Sequence, residues 1–448
     1  MQSIFKNWSK GSVFLTDAGW GDSGKGKVVS ALVPDVGVKI IGGHNAGHTV
    51  VTDKGSLGLG LIPSSIIHPK TLNIIGSEVV INPIFLINEI ENIKKFGIKI
   101  SSKNLKIDSG THLVLRWHEI RDALNEEWRG KSAIGSLFLG VGWAFSDRIN
   151  RRGLRLMDLF DTNWKKLVRD EYKKQLAVIA GLQGEVEAMT KTKSKVDTKI
   201  TLPEIYKTCT MARENLQQFL GNTKEVVWNA IDKNKKILFE DSHGAMLDVA
   251  HGSWPYTTGV NTGLGALYRS FGGKAVKSII KTVVCTKAYQ TRVGGGPMPT
   301  EDFGKFADYV REKGHEVGTR SGRARRCGAI DLPILKYGYN VLGLTNNDEV
   351  AITKLDVLSG LNKIPVCISY KHQGKTYVES PSADAQFLEK VNPKMMFLSG
   401  WSQEISKFTD FKQLPKNAQN YINFIQKKVN AKITFIGVGQ HKDAKIII

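Results

Sequence analysis

Cysteine, acidic residues and long apolar runs are all in short supply in this chain. Its 448 residues contain four cysteines, Cys209, Cys285, Cys327 and Cys367. None forms a C-x-x-C pair or has a partnered histidine, which argues against a zinc site or a disulfide framework and points to reduced thiols in a cytoplasmic protein. No apolar run reaches the roughly 18 residues that span a bilayer, and the opening MQSIFKNWSKGS lacks the apolar core of an export signal. No membrane partner is expected. Aspartate and glutamate number 42 against 63 lysines and arginines, a formal charge of +21. Because the lysines are spread along the chain instead of forming a tract beside aromatics, nucleic acid is not expected as a partner. A cleft that collects polyanionic small molecules suits the excess better.

What the chain does have is enough apolar content, 41%, to bury a large core. Short β-branched runs at residues 13–15, 38–41, 72–75, 236–239, 279–284, 350–352, 366–368 and 433–436 are separated by long connections. That alternation predicts an α/β fold with a largely parallel central sheet, although it does not order the strands. Residues 164–196 are rich in Lys, Glu, Gln, Leu and Ala at helical spacing. They predict a helical insert at about 160–200 within a single catalytic domain of residues 1–448.

The first chemical motif, GWGDSGKGK at residues 19–27, follows the run at 13–15. A glycine-rich turn after a strand leaves backbone N–H groups free to cradle phosphate oxygens. Gly19, Gly24 and Lys25 fit the P-loop spacing, but Gly26 replaces the Ser or Thr that would hold magnesium, and Asp22 sits inside the loop. A carboxylate there can ligate a metal or accept a proton. Gly21, Ser23, Gly24, Gly26 and Lys27 complete the expected phosphate cradle.

Three further blocks follow. GGHNAGHT at residues 42–49 also lies behind a strand, which suits a ligand loop at a sheet edge and makes His48 a donor candidate near a developing anion. GTRSGRARR at 318–326 packs four arginines into seven residues, planar donors for carboxylate or phosphate. Thr353, Lys354, Leu355 and Asp356 are similar to the guanine-reading tetrad of GTP-binding proteins.

With FEDSHGAMLDVAHGSWPYTTG at 239–259 and KAYQTRVGGGPMPTE at 287–301, these blocks stand in the order found in adenylosuccinate synthetases. The chain resembles that family from about Gly11 to its end, including the late segments at 400–402 and 437–439. The resemblance implies a magnesium-dependent homodimer that couples GTP hydrolysis to joining L-aspartate to the 6-position of inosine monophosphate. It makes Asp22 the base and, with the Gly47 carbonyl, a metal ligand. His48 would donate to the 6-oxygen and the transferring phosphoryl group, and Lys25 would hold that group in line. Thr49, Arg325, Lys354, Leu355, Asp356, Gly437, Val438 and Gly439 would contact GTP. Asn45, Ala46, Leu137, His243 and Thr258 would contact the acceptor nucleotide, as would Arg151 reaching from the other subunit. Thr319, Arg320, Ser321, Gly322 and Arg323 would form the aspartate-binding loop, and Arg325 also matches one of its arginines.

The chain also departs from the family. Ser23 replaces a glutamate, His243 a glutamine, and Arg320 a threonine. Leu137 and Leu139 stand where a Thr-Thr-Gly-Arg loop grips phosphate, leaving Ser136 or extra cations to compensate. These changes gather on the acceptor side and raise GMP or dGMP as alternative acceptors. Relatives that use deoxyguanylate carry a small hydroxyl residue at the base position. Retention of Asp22 favours inosine monophosphate. A GTP-binding regulator without ligase activity is the alternative of another class.

Overall fold

The computed structural model describes residues 3–318 and 322–448. Its centre is a ten-stranded sheet. Across it the strands run Lys445–Ile447, Lys432–Gly437, Glu349–Thr353, Ile279–Lys287, Ser12–Asp17, Ile237–Glu240, Val36–Gly42, Leu72–Val79, Leu105–Asp108 and Leu220–Gly221. Every neighbouring pair is parallel except the first, which is antiparallel. The expected α/β class and parallel sheet are therefore present.

Side chains alternate across this sheet, and both faces are covered. Val13 and Leu15 pack with Val28, Val29, Ala351 and Phe435 on one side, whereas Phe14 packs with Val38, Ile40, Phe239 and Phe271 on the other. A strand buried on both faces needs apolar residues at every position, which is why these strands read as continuous apolar runs. Each fully buried Val or Leu contributes about 1.5–3 kcal/mol of transfer free energy.

Residues 366–368 do form a strand, but outside the central sheet. The strand Lys363–His372 pairs with Ile330–Asp331, Lys375–Tyr377 and Asn392–Ser399 in a separate four-stranded sheet. Helices Arg116–Arg129, Val141–Ile149, Trp164–Thr190 and Leu202–Leu216 follow the strand at Leu105–Asp108, so helical structure here begins before residue 160 and continues past 200. Trp117, Leu124, Val168, Ile179 and Cys209 pack with Ile75 and Ile107 in one cluster. Thr201 opens the last of these helices as an N-cap, with Glu204 closing the capping box.

Candidate active site

Six adjacent strands of the central sheet bring their C-terminal ends to one edge, and the chemical motifs are the segments leaving those ends. In sheet order they are residues 437–439, 353–356, 287–292, 19–27, 240–247 and 42–49. Ligands of open parallel sheets sit in the crevice outside these carboxyl ends. Two cavities lie there. The larger, about 470 Å³, is bordered by Asp22, Ser23, Gly24, Lys25, Gly26, Lys27, Gly47, His48, Thr49, Arg325, Lys354, Asp356 and Gly439. The smaller, about 170 Å³, is bordered by Trp20, Gly21, Asp22, Asn45, Ala46, Gly47, Leu137 and His243. Asp22 and Gly47 border both.

The loop at 19–27 owes its shape to left-handed backbone at Gly21, Asp22 and Gly24 (φ 85°, 56° and 79°). For Asp22 this conformation is costly and is held by surrounding contacts. Thr353 donates its hydroxyl to the Ser23 carbonyl at 2.7 Å, and Lys27 donates to the carbonyls of Gly439 and His441 at 2.7 and 2.6 Å. Burial lowers the Lys27 pKa to about 8. A Cβ on Gly26 would lie 2.6 Å from the Thr49 carbonyl oxygen, so the hydroxyl residue of an ordinary P-loop has no room. Gly244 is equally constrained, since its Cβ would meet the Gly19 carbonyl oxygen at 2.2 Å. That close approach docks the segment after Glu240 against the loop at 19–27.

Lys25 is 2% exposed, and its ammonium makes no hydrogen bond among the described residues; Asp17 Oδ2 is 3.9 Å away. Asp356 likewise has a buried oxygen without a partner among the described residues, and burial raises its pKa. A buried carboxylate oxygen left unpaired beside a cavity is an acceptor prepared for a ligand's N–H.

His48 presents Nδ1 to Glu240, whose carboxylate also accepts from the Ser64 hydroxyl at 2.6 Å and the Ser64 amide at 2.9 Å. Burial lowers the His48 pKa and outweighs the opposing pull of Glu240. Burial would raise Glu240, but His48, Lys39 and Ser64 together hold it at about 2. Glu240 was not singled out from the sequence, although it lies in the FEDSH motif.

In the smaller cavity His243 is 6% exposed, and both of its ring nitrogens lack partners among the described residues. Burial, with Lys25, Lys39 and His48 nearby, lowers its pKa to about 3, so the ring is neutral at physiological pH. The side-chain oxygen of Asn45 and the indole nitrogen of Trp20 are also unpaired among the described residues. The Ser136 hydroxyl, expected as a substitute phosphate donor, instead donates to Asp122 at 2.7 and 2.8 Å.

Other expected contacts lie outside the two cavities. Leu355 and Val438 are 0% exposed in the core, and Gly437 packs at its strand end against Lys27 and Thr353. Thr258 is half-buried, with its amide bonded to the Leu247 carbonyl. Gly322 and Arg323 are exposed and border neither cavity. Arg151 is exposed, with a left-handed φ of 58°. Thr319, Arg320 and Ser321 lie outside the described residues.

Comparison with known proteins places the chain in a family. The family model for adenylosuccinate synthetase matches residues 15–446. The adenylosuccinate synthetase of Lawsonia intracellularis is 37% identical over 440 residues, covering 96% of this chain and 98% of that protein. The fully ligated adenylosuccinate synthetase of Plasmodium falciparum superposes with a TM-score of 0.86 at 30% identity, covering 97% of this chain and 99% of that one. The succinoaminodeoxyadenylate synthetase of cyanophage S-2L, bound to dGMP and dATP, has a TM-score of 0.59 at 18% identity over 98% and 95% of the two chains, a likeness of fold alone. With a family model spanning nearly its full length and a relative this similar across 96% of it, the chain belongs to the adenylosuccinate synthetase family.

Proposed function

We propose that this protein is a GTP-dependent ligase that joins L-aspartate to the 6-position of inosine monophosphate. The observation that carries the reading is the position of Asp22, which borders both cavities at once. GTP fills the larger, with its phosphates against residues 21–27 and Lys25 and its base against Lys354 and Asp356. The unpaired Asp356 oxygen accepts guanine N–H groups. The acceptor purine fills the smaller, between Trp20, Asn45, Leu137 and His243.

Asp22 takes the N1 proton of the purine, and the 6-oxygen attacks the γ-phosphorus as the bond to GDP breaks. His48 donates to the charge that develops there. With Nδ1–H committed to Glu240, donation from Nε2 requires the imidazolium. Burial disfavours that form, but an arriving phosphoryl anion opposite Glu240 stabilises it. The amine of aspartate then displaces phosphate from the 6-position. Asp22 and the Gly47 carbonyl are hard oxygen donors where the cavities meet, a set that fits magnesium. When bound, the ion would neutralise phosphoryl charge. His243, being neutral, offers one N–H and one bare nitrogen to the purine. Arg151, exposed beyond both cavities, is suited to reach the neighbouring subunit's nucleotide in a homodimer.

Incubation with GTP, magnesium, L-aspartate and each of IMP, GMP and dGMP, followed by mass spectrometry, tests the proposal. A succinyl-nucleotide from IMP is expected. Product from GMP or dGMP alone would reassign the acceptor, and no product from any would overturn the ligase reading.

A further inference from the structure

Glu316 lies at the centre of a buried charge network that the mechanism above does not use. It is 0% exposed. Its Oε2 faces Lys287 Nζ at 2.9 Å and Arg325 Nη1 at 2.7 Å, while Oε1 faces Lys354 Nζ at 3.0 Å and accepts the Tyr289 hydroxyl. Burial alone would raise its pKa, yet Lys287, Lys354 and Arg325 hold it well below the carboxylate range. One ionised carboxylate thus gathers three cations from three segments: the strand end at 287, the segment entering 325, and the turn at 354.

Two of those cations border the larger cavity, Lys354 on the side of Asp356 and Arg325 on the side of Asp22. Arg325 carries the connection further, because it also bonds Asp22 at 2.9 Å. Three positive charges against two negative leave one positive charge in excess beside a cavity shaped for polyphosphate. Burying such a group contributes little net stability, because desolvation offsets most of the Coulomb attraction. Its effect lies in geometry. Without Glu316, Lys354 and Arg325 would face each other as like charges with no shared counterion, and each would seek another partner.

We propose that Glu316 is a positioning residue that holds the guanine-side Lys354 and the Asp22-side Arg325 in one register, coupling the GTP subsite to Arg325, which the family resemblance also assigns to aspartate binding. The inference rests on the ligase reading for its second substrate, but its first readout, direct GTP binding, does not. Glu316→Gln keeps the shape and removes the charge. In the full-length protein, the dissociation constant for GTP and the KM for aspartate should both rise about tenfold or more, the range of a lost charge-assisted contact. In a cycle with Lys354→Met, adding Glu316→Gln should weaken GTP binding by no more than about twofold further, because the two changes remove one arrangement.

A folded Glu316→Gln protein with both constants within about twofold of the parent, or with additive losses in the cycle, would overturn the proposal. A purely structural role would instead lower the thermal midpoint and leave both constants unchanged. Should Glu316→Gln fail to fold, Tyr289→Phe removes a single neutral donor to the same carboxylate. Both constants rising about two- to fivefold would support the proposal, and unchanged constants would overturn it. If the parent forms no succinyl-nucleotide yet GTP affinity responds as stated, the acceptor chemistry is wrong while the positioning role stands.

Discussion

Two nitrogens of Arg325, Nε and Nη2, each lie 2.9 Å from one oxygen of Asp22, Oδ2. The guanidinium orients a carboxylate that stands on left-handed backbone at the boundary of two cavities. Asp22, the proposed base, is thus placed by a contact from a segment some three hundred residues away in sequence.

Asp22→Asn preserves the shape of this pair and removes the proton acceptor. Turnover should fall by about 10²- to 10⁴-fold, the usual contribution of general-base catalysis. Steady-state assay with GTP, aspartate and IMP measures it. Turnover surviving within about tenfold would mean that the N1 proton goes elsewhere.

Leu137 borders the smaller cavity but offers no hydrogen bond to a nucleotide phosphate, and the nearby Ser136 hydroxyl is committed to Asp122. Leu137→Thr supplies a donor. The KM for IMP should fall about tenfold, since a hydrogen bond to a charged group contributes roughly 1.5–3 kcal/mol. A KM that stays level or rises would show that the acceptor phosphate lies away from residue 137.

Asp331 caps the helix Leu332–Val341 and accepts the Tyr370 hydroxyl at 2.5 Å, fully buried. Burial raises its pKa from 3.8 to about 7. The folded state therefore holds this proton more tightly than the unfolded chain. The resulting stability is fully present below about pH 3.8, declines as pH rises, and is lost above about pH 7. Asp331→Asn keeps an N-cap acceptor without the charge. Relative to the parent, its thermal midpoint should be higher at pH 8 than at pH 5; a constant difference would contradict the assignment.

Arg151 and Asp22 should complement each other across a shared interface. Two inactive proteins, Arg151→Ala and Asp22→Asn, mixed and allowed to exchange subunits, should regain roughly a quarter of parental activity, because half the dimers are mixed and each has one intact site. No recovery, with exchange verified, would place Arg151 outside the neighbour's site.

Much of this was legible in the sequence because its signals are local. Glycines spaced for left-handed turns, a lysine and a carboxylate within one loop, and apolar runs long enough for doubly covered strands each act over fewer than ten residues. Those runs set the fold class, and the ordered motifs set the family. Tertiary structure alone decided the order of the strands and thus which motifs became neighbours. No local rule could pair Arg325 with Asp22, set Glu240 behind His48, bring Lys287 and Lys354 to Glu316, or spend the Ser136 hydroxyl on Asp122. Each of those contacts joins residues distant in the chain or on separate elements, and a polar side chain chooses its partner only when burial removes water as the alternative.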